Sequence, residues 1–232
     1  MRRWTCLVFA LALVTGGCAK DGGSLVDRVI TAYGGNDVVA KVVAVKQTGR
    51  IVSPAHPGKV GSVIRGTEGA DKLRVETVFA DEPPEIRIVS GERGWRNGQE
   101  TTGPNLDAMV LQAARLALPK LLVDHRSDIR DLGDFESAGH KLHVLELTLG
   151  AGKTLTVEID PTTDLIMRTI GRSEHEGAPI VEFSTEYGEF RKIDGRTFPF
   201  YECTTAMGHR TADITFSTME VSASFPEEVF RP

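Results

Sequence analysis

From Val45 onward, apolar residues recur at every second position of the chain, in short runs separated by turn residues. In the segment KLRVETVFA, one face carries Leu73, Val75, Thr77 and Phe79, whereas the other face is mostly polar. A period of two is typical of β-strands that have one buried and one solvated face. The chain must therefore build an antiparallel sheet with an apolar face, and something else must cover that face.

The segments between these runs predict how the strands are connected. SAGH, GAGK, DPTTD and KIDGR all contain the Gly, Pro or Asp residues that tight turns require. Asn97–Gly98 is typical of a type I′ hairpin turn. Strand lengths and turn spacing therefore predict one meandering antiparallel sheet of about 10–11 strands.

A helix is expected before the first strand. The segment 24–35 places its apolar residues three and four positions apart, which is the spacing of one helical face. Ser24 is the expected N-cap, and Gly34 and Gly35 supply a left-handed stop. A short helical turn capped by Asn36 then leads into the first strand.

A second helical segment, residues 104–124, interrupts the strands and is the most apolar stretch after residue 23. Pro119 should end or kink this helix, with apolar residues continuing beyond it. Together with the curved sheet, the segment could enclose an apolar cavity. The candidate lining residues are Leu106, Met109, Val110, Ala113, Leu116, Leu121, Leu122, Met167 and Trp95. The alternative for each is ordinary core packing, and Trp95 could instead close one end of the core or be an exposed anchor.

The N-terminus has the features of an export signal. Two arginines precede an apolar run, residues 6–14, that is too short to cross a bilayer. Small residues then lead directly to Cys18, which resembles the lipobox of bacterial lipoproteins, although Thr15 occupies the position where leucine is commonest. We therefore expect 1–17 to be a lipoprotein signal peptide with Cys18 lipidated. Ordinary secretion with cleavage nearby is the alternative.

The predicted organisation of the mature chain follows from this site. Residues 18–23 are expected to form a flexible tether, and 24–232 a single domain. The protein would be anchored through its N-terminal acyl groups and would face the periplasm. Ala19 follows the cysteine where Asp often marks retention in the inner membrane, so the outer membrane is favoured.

Composition excludes some functions. The formal charge is −5, and it becomes −7 when residues 1–17, with two arginines and no acids, are removed. A mildly acidic chain without a Lys/Arg cluster is a poor nucleic-acid binder. Cys203 would be the one thiol left besides the lipidated one, so no disulfide is expected within the domain. Its alternating surroundings predict a buried, small apolar residue.

Motifs for catalysis or metal binding are weak. LGAGKT lacks the first glycine of a phosphate loop, and it joins two strands, so it predicts a hairpin turn. His140 and His143 are three apart in a strand and should point to opposite faces. Ser173 lacks the glycine that a nucleophile elbow needs two residues later. We expect no enzyme activity, no cofactor and no metal.

The order of these phrases resembles the LolA/LolB-like superfamily of periplasmic lipoprotein carriers and lipoprotein-sorting proteins. The matching phrases are AYGG with NDVVAKVVAVKQTGRI, IVSGERGWRNG, the helical insert, LTVEIDPTTDLIMR, EYGEFRKIDGRTFPF and SFPEEVFRP, which together span 24–232. The resemblance implies an α+β fold, in which a strongly curved, unclosed β-barrel wraps around two or three helices. Some members hold acyl chains between sheet and helices.

Two functions are consistent with this resemblance. The first is binding of a lipid, or of the acyl part of a lipoprotein, in an apolar cavity as part of envelope trafficking. The alternative is an RseB-like module that senses or binds another envelope protein and has no lipid ligand. An enzyme with an unrecognised site is a third possibility, which a cluster of titratable side chains in a deep pocket would revive.

Overall fold

The computed structural model describes residues 22–137, 139–174 and 180–232. The predicted signal peptide and Cys18 lie outside the described residues. The described chain forms one antiparallel sheet of thirteen strands that does not close on itself, together with a few helices, which confirms the predicted α+β fold class. The strands are β1 (Ala44–Val52), β2 (Gly61–Glu68), β3 (Lys72–Val78), β4 (Glu85–Ser90), β5 (Arg93–Arg96), β6 (Gln99–Thr101), β7 (Ile129–Ser137), β8 (His140–Gly150), β9 (Lys153–Ile159), β10 (Ile166–Ser173), β11 (Val181–Ile193), β12 (Arg196–Ala206) and β13 (His209–Ser222).

The strand count exceeds the predicted 10–11 because one predicted strand is three. The segment EIRIVSGERGWRNGQ contains β4, β5 and the start of β6. A turn at Gly91, with φ 62°, separates the first two strands. Asn97 and Gly98, with φ 52° and 78°, separate the next two. Positive φ at both central residues is the type I′ geometry that the Asn-Gly pair predicted.

The sheet is a meander with one long-range seam. Its order is β6-β5-β4-β3-β2-β1-β13-β12-β11-β10-β9-β8-β7, so every neighbour is consecutive in sequence except β1 and β13. That seam pairs Ala44 with Ser222 and Val52 with Asp213. A register shift after Thr48 places Gly49 opposite Phe216. A Cβ at Gly49 would collide with the backbone of β13, so this bulge requires glycine.

Four α-helices accompany the sheet. They are α1 (Gly22–Ala32), α2 (Asn36–Lys41), α3 (Gly103–Leu116) and α4 (Lys120–Asp124). Because α1 begins at Gly22, Ser24 lies inside the helix and is not its cap. The same start places Gly22 and Gly23 of the predicted tether in the helix. Gly34, with φ 116°, ends the helix as predicted. Within the described residues, no helix has the length and apolarity that crossing a membrane requires.

The helical insert joins the two free edges of the sheet. It leaves β6 at one edge, and returns to β7 at the other, by way of α3 and α4. The strands β1–β6 form one wing of the sheet and the strands β7–β13 form the other. On the way, α3 contacts β3, β4 and β5 of the first wing and β9 and β10 of the second. The helix therefore lies across the inner face of the curved sheet and covers part of it.

The buried apolar residues form two clusters, one on each side of the sheet's inner space. The first cluster joins α1, α4 and β8–β10, and includes Val26, Leu122 and Leu145. The second joins β1–β4, β12 and β13 to α3, and includes Leu73 and Phe216. Helix α3 contributes to both clusters, which fixes its position between the two wings.

Candidate functional site

A cavity of about 670 Å³ opens between α3 and the inner face of the sheet. Its volume lies in the range of about 300–1,000 Å³ that is usual for small-molecule sites. Apolar side chains from both wings and from the helix line it: Ile51, Phe79, Leu111, Leu155, Phe183, Ala212 and Ile214. Polar and charged residues also border it, including His56, Glu82, Arg96 and Arg210.

One face of α3 borders this cavity. Ala108, Leu111, Gln112 and Arg115 line it, and their spacing of three, four and seven residues defines a single helical face. Leu111 packs closely on β10, because a Cβ at Gly171 would lie only 3.2 Å from the Cβ of Leu111. Glycine at this position thus lets the helix approach the sheet.

The predicted lining residues of the insert lie mainly elsewhere. Met109 and Ala113 are buried in the second apolar cluster, with Val110 and Leu116 packed at its border. Leu121 and Leu122 are buried in the first cluster. Leu106 lies over β5, where a Cβ at Gly94 would be 2.7 Å from its Cδ1 atom. Leu116 lines a second, smaller cavity of about 50 Å³, and none of these residues is among the described lining of the larger one.

The two remaining predicted residues are on strands. Trp95 follows Gly94, and since Gly94 faces α3, strand alternation places the indole on the opposite face of the sheet. There the guanidinium of Arg93 lies 5.0 Å from the ring centroid. Met167 is half-buried at a register shift between β9 and β10. Ligand contact by the whole predicted set stays a prediction.

A buried charge network lies beside the cavity. Arg65 of β2 donates two hydrogen bonds to Glu202 of β12, at 2.9 and 2.6 Å, and both side chains are 1 % exposed. Arg115 of α3 reaches the same carboxylate at 3.2 Å. Its other terminal nitrogen donates to the hydroxyl of Tyr187 at 3.3 Å. Glu202 thus ties α3 to two strands that belong to the centre of the sheet.

The electrostatics of this network favour the ionised carboxylate. Burial alone would raise the pKa of Glu202, but the charges and hydrogen bonds of Arg65 and Arg115 outweigh it and lower the pKa to about 2. For Arg115, burial opposes the charge, yet Glu202 and Tyr187 raise its pKa. Glu202 and Arg115 are therefore both charged at neutral pH. Gln47 accepts a further hydrogen bond from Arg65 at 2.5 Å.

The alternation of residues along β2 and β12 indicates, from the sequence alone, that Arg65 and Glu202 are buried. Arg65 shares its strand face with Val63 and Thr67, both of which are buried. Glu202 likewise shares its face with the buried Phe198 and Phe200. A charged residue in phase with the apolar positions of a strand is expected to be buried and paired. The period of two alone does not predict this exception, because it assigns charged residues of a strand to the solvated face.

The described residues hold no group of three or more His, Cys, Asp or Glu side chains arranged to bind a metal ion. His143 lies between two carboxylates, with Nε2 2.7 Å from Asp131 and Nδ1 2.6 Å from Asp134. His140 is exposed. Ser173 donates to the buried Asp107 at 2.9 Å, and Lys153 pairs with the same carboxylate at 3.1 Å.

Solved structures with similar folds come from several bacteria. A LolA superfamily protein from Nitrosomonas europaea superposes with a TM-score of 0.58 at 14% identity, over 92% of this chain and 99% of that one. The chain has the LolA-like fold. A putative outer membrane lipoprotein-sorting protein domain from Vibrio parahaemolyticus gives a TM-score of 0.54 at 13% identity, over 89% and 94% of the two chains. A DUF1329 family protein from Desulfovibrio piger gives 0.53 at 13% identity, over 91% and 97%. No protein-family model and no curated protein sequence matches the chain.

In the LolA-like fold, the inner face of the unclosed sheet and the helices that cross it bound a shared interior. Here that interior holds a large cavity lined by both apolar and polar side chains, a smaller cavity, and the Arg65–Glu202–Arg115 network between the sheet and α3. The arrangement offers a place for an apolar ligand.

Proposed function

We propose that this protein is a periplasm-facing envelope lipoprotein that holds an acyl chain, from a lipid or from an acylated protein, in the large cavity. The cavity of about 670 Å³, which has apolar side chains from the sheet and from α3 in its mixed lining, carries the proposal. Each buried methylene contributes about 0.8 kcal/mol, so a medium-length chain gains enough to offset its ordering. The likeness to a lipoprotein-sorting protein domain supports this assignment at the level of fold.

The location in the envelope is part of the proposal. The lipobox-like sequence before Cys18 supports lipidation, and Ala19 favours the outer membrane. Mass spectrometry of the protein isolated from bacterial membranes should find Cys18 at the N-terminus with acyl groups. Cys18→Ser should abolish the modification and release the protein from the membrane fraction, whereas an unmodified, soluble wild-type protein would refute the anchor.

Acyl binding can be tested with the domain 22–232 purified after expression in bacteria. Native mass spectrometry should show a co-purified lipid, and a fluorescent fatty-acid probe should bind saturably. Ala108→Trp projects a large side chain from α3 into the cavity and should weaken probe binding at least tenfold. Ala40→Trp is the matched control, because Ala40 is an exposed residue of α2 and lies away from the cavity lining.

A second function is favoured by exposed apolar residues near the cavity. Val52, Val60 and Val78 are 46%, 59% and 37% exposed. They lie at the same end of β1, β2 and β3, next in sequence to cavity residues such as Ile51 and Phe79. Such a patch fits a protein-binding module, the alternative that the sequence suggested. If no lipid or probe binds, cross-linking at Val60 in intact cells should identify a protein partner.

A further inference from the structure

The smaller cavity, of about 50 Å³, has an unbalanced charge. It is bounded by the end of α1, the connection from α3 to α4, and β12. Arg65, Arg115 and Arg196 line it, and Glu202 is the single acidic residue among its described lining. Three guanidinium groups against one carboxylate leave a formal charge of +2 around this small cavity. Buried charge of this kind is costly unless a counter-charge is present.

Arg196 is the source of much of this imbalance. Its side chain is buried, with the residue only 4% exposed, and it makes no ion pair with any described residue. Nη2 donates to the carbonyl oxygen of Leu118 at 2.9 Å, which supplies a hydrogen bond but no charge. The Nε atom is buried and has no acceptor. The guanidinium also stacks 4.8 Å from the ring centroid of Phe198, which leaves its edge available.

Tyr33 brings a second donor to the same cavity. Tyr33 is only 5% exposed, and its hydroxyl oxygen accepts a hydrogen bond from the backbone N–H of Ile166 at 3.2 Å. The hydroxyl hydrogen therefore remains to be donated, and no acceptor for it occurs among the described residues. Burial raises the pKa of Tyr33 far above its usual range, so this donor is retained at neutral pH. Burial also lowers the pKa of Arg196, to about 10, which still leaves the guanidinium charged.

We propose that the smaller cavity is a binding site for a carboxylate group, held by the guanidinium Nε of Arg196 and the hydroxyl of Tyr33. A carboxylate supplies the missing negative charge and accepts both donors, and its compact planar shape suits a space of this size. The site does not depend on acyl binding in the larger cavity. The carboxylate can come from a small free acid or from the head of a fatty acid. Arg115 lines both cavities, so the two adjoin at its side chain.

The experiment uses the domain 22–232 and two probes, sodium acetate and sodium dodecanoate, measured by calorimetry and by thermal shift. Saturable binding of acetate indicates a free small acid, and binding of dodecanoate alone indicates a fatty-acid head. Arg196→Met keeps the aliphatic stem and should weaken the bound probe at least about tenfold, with Tyr33→Phe weakening it by a smaller factor. Arg191→Met is the control, because Arg191 also stacks on a phenylalanine but is exposed and pairs with Glu189.

Two further readouts keep the test decisive. Removing an uncompensated buried cation should leave ligand-free Arg196→Met at least as stable as the wild type, so loss of binding cannot be attributed to unfolding. Ala108→Trp should abolish acyl-probe binding yet preserve acetate binding, which separates this site from the larger cavity. The proposal is overturned if neither probe binds, if binding persists in Arg196→Met, or if chloride and phosphate at equal ionic strength give the same shift.

Discussion

Among the described residues, Glu202 carries the buried charge on which the stability of the interior depends most. The substitution Glu202→Gln tests this dependence. The substitution preserves size and hydrogen-bonding capacity but removes the negative charge. Arg65 and Arg115 then remain buried beside a neutral amide. Because the carboxylate has no exposure to water, solvent cannot replace it as the partner of the two guanidinium groups.

The magnitude follows from two independent arguments. Removing one partner of a buried ion pair typically costs about 3–5 kcal/mol of unfolding free energy. The pKa of Glu202 gives a similar figure, because the difference between about 2 and the ordinary 4.5 corresponds to about 3 kcal/mol. For a domain of this size, a loss of about 3–5 kcal/mol lowers the melting temperature by about 6–20 °C.

Urea unfolding at pH 7, followed by far-ultraviolet circular dichroism, measures the effect. Glu100→Gln is the matched control, since Glu100 also pairs with an arginine, Arg93, but both side chains are at least half exposed. The control should change stability by less than about 1 kcal/mol. A double variant, Glu202→Leu with Arg65→Met, should be more stable than Glu202→Gln, because it removes charge from both strands. If Glu202→Gln cost no more than Glu100→Gln, our account of a paired, desolvated network would be refuted.

Three other predictions concern the same interior. The pKa of Glu202 is lower in the folded than in the unfolded state, so its contribution to stability is complete above about pH 5 and is lost as pH falls toward about 2. Acid titration should therefore unfold the wild type in that window, and pH should have a smaller effect on Glu202→Gln. Gly49→Ala should destabilise the protein by about 1–3 kcal/mol, because the new Cβ collides with a backbone carbonyl of β13. Gly66→Ala, where the nearest atom to the new Cβ is 3.6 Å away, should not destabilise it, and equal melting temperatures of the two variants would contradict this. Leu122→Ala should lower the free energy of unfolding, measured by chemical denaturation, by about 2–5 kcal/mol, whereas Val60→Ala should hardly change it because Val60 is 59% exposed. Similar losses for the two variants would show that the first apolar cluster is not the core we describe.

The sequence predicted most of the sheet because its strands obey local rules. Alternation located the strands, and glycine-containing turns such as Asn97–Gly98 located most of their boundaries. The exception is the turn at Gly91, which divides a segment predicted as one strand into β4 and β5. The β1–β13 pairing is a long-range contact that periodicity does not encode, and it was not predicted.

The candidate site was less predictable for a geometric reason. Helix α3 is apolar on more than one side, so its periodicity identified a helix but not which face meets the cavity. The face bearing Met109 and Ala113 packs into the core, and the face bearing Leu111 and Arg115 turns to the open space. Arg196 and Glu202 were visible as charges in phase with buried phenylalanines of β12. The pairing of Glu202 with Arg65 was not visible, because β1 and β13 lie between β2 and β12 and the order of these strands was unknown.

The seam between β1 and β13 has a consequence for how the protein is made. β1 is among the first strands to emerge during synthesis, and its partner on one side is the last strand of the chain. Until β13 has been synthesised, that side of β1 presents unpaired backbone groups, which readily recruit strands from other molecules. Premature termination before β13, which is fourteen residues long, would therefore leave the middle of the sheet, and not its margin, open to aggregation.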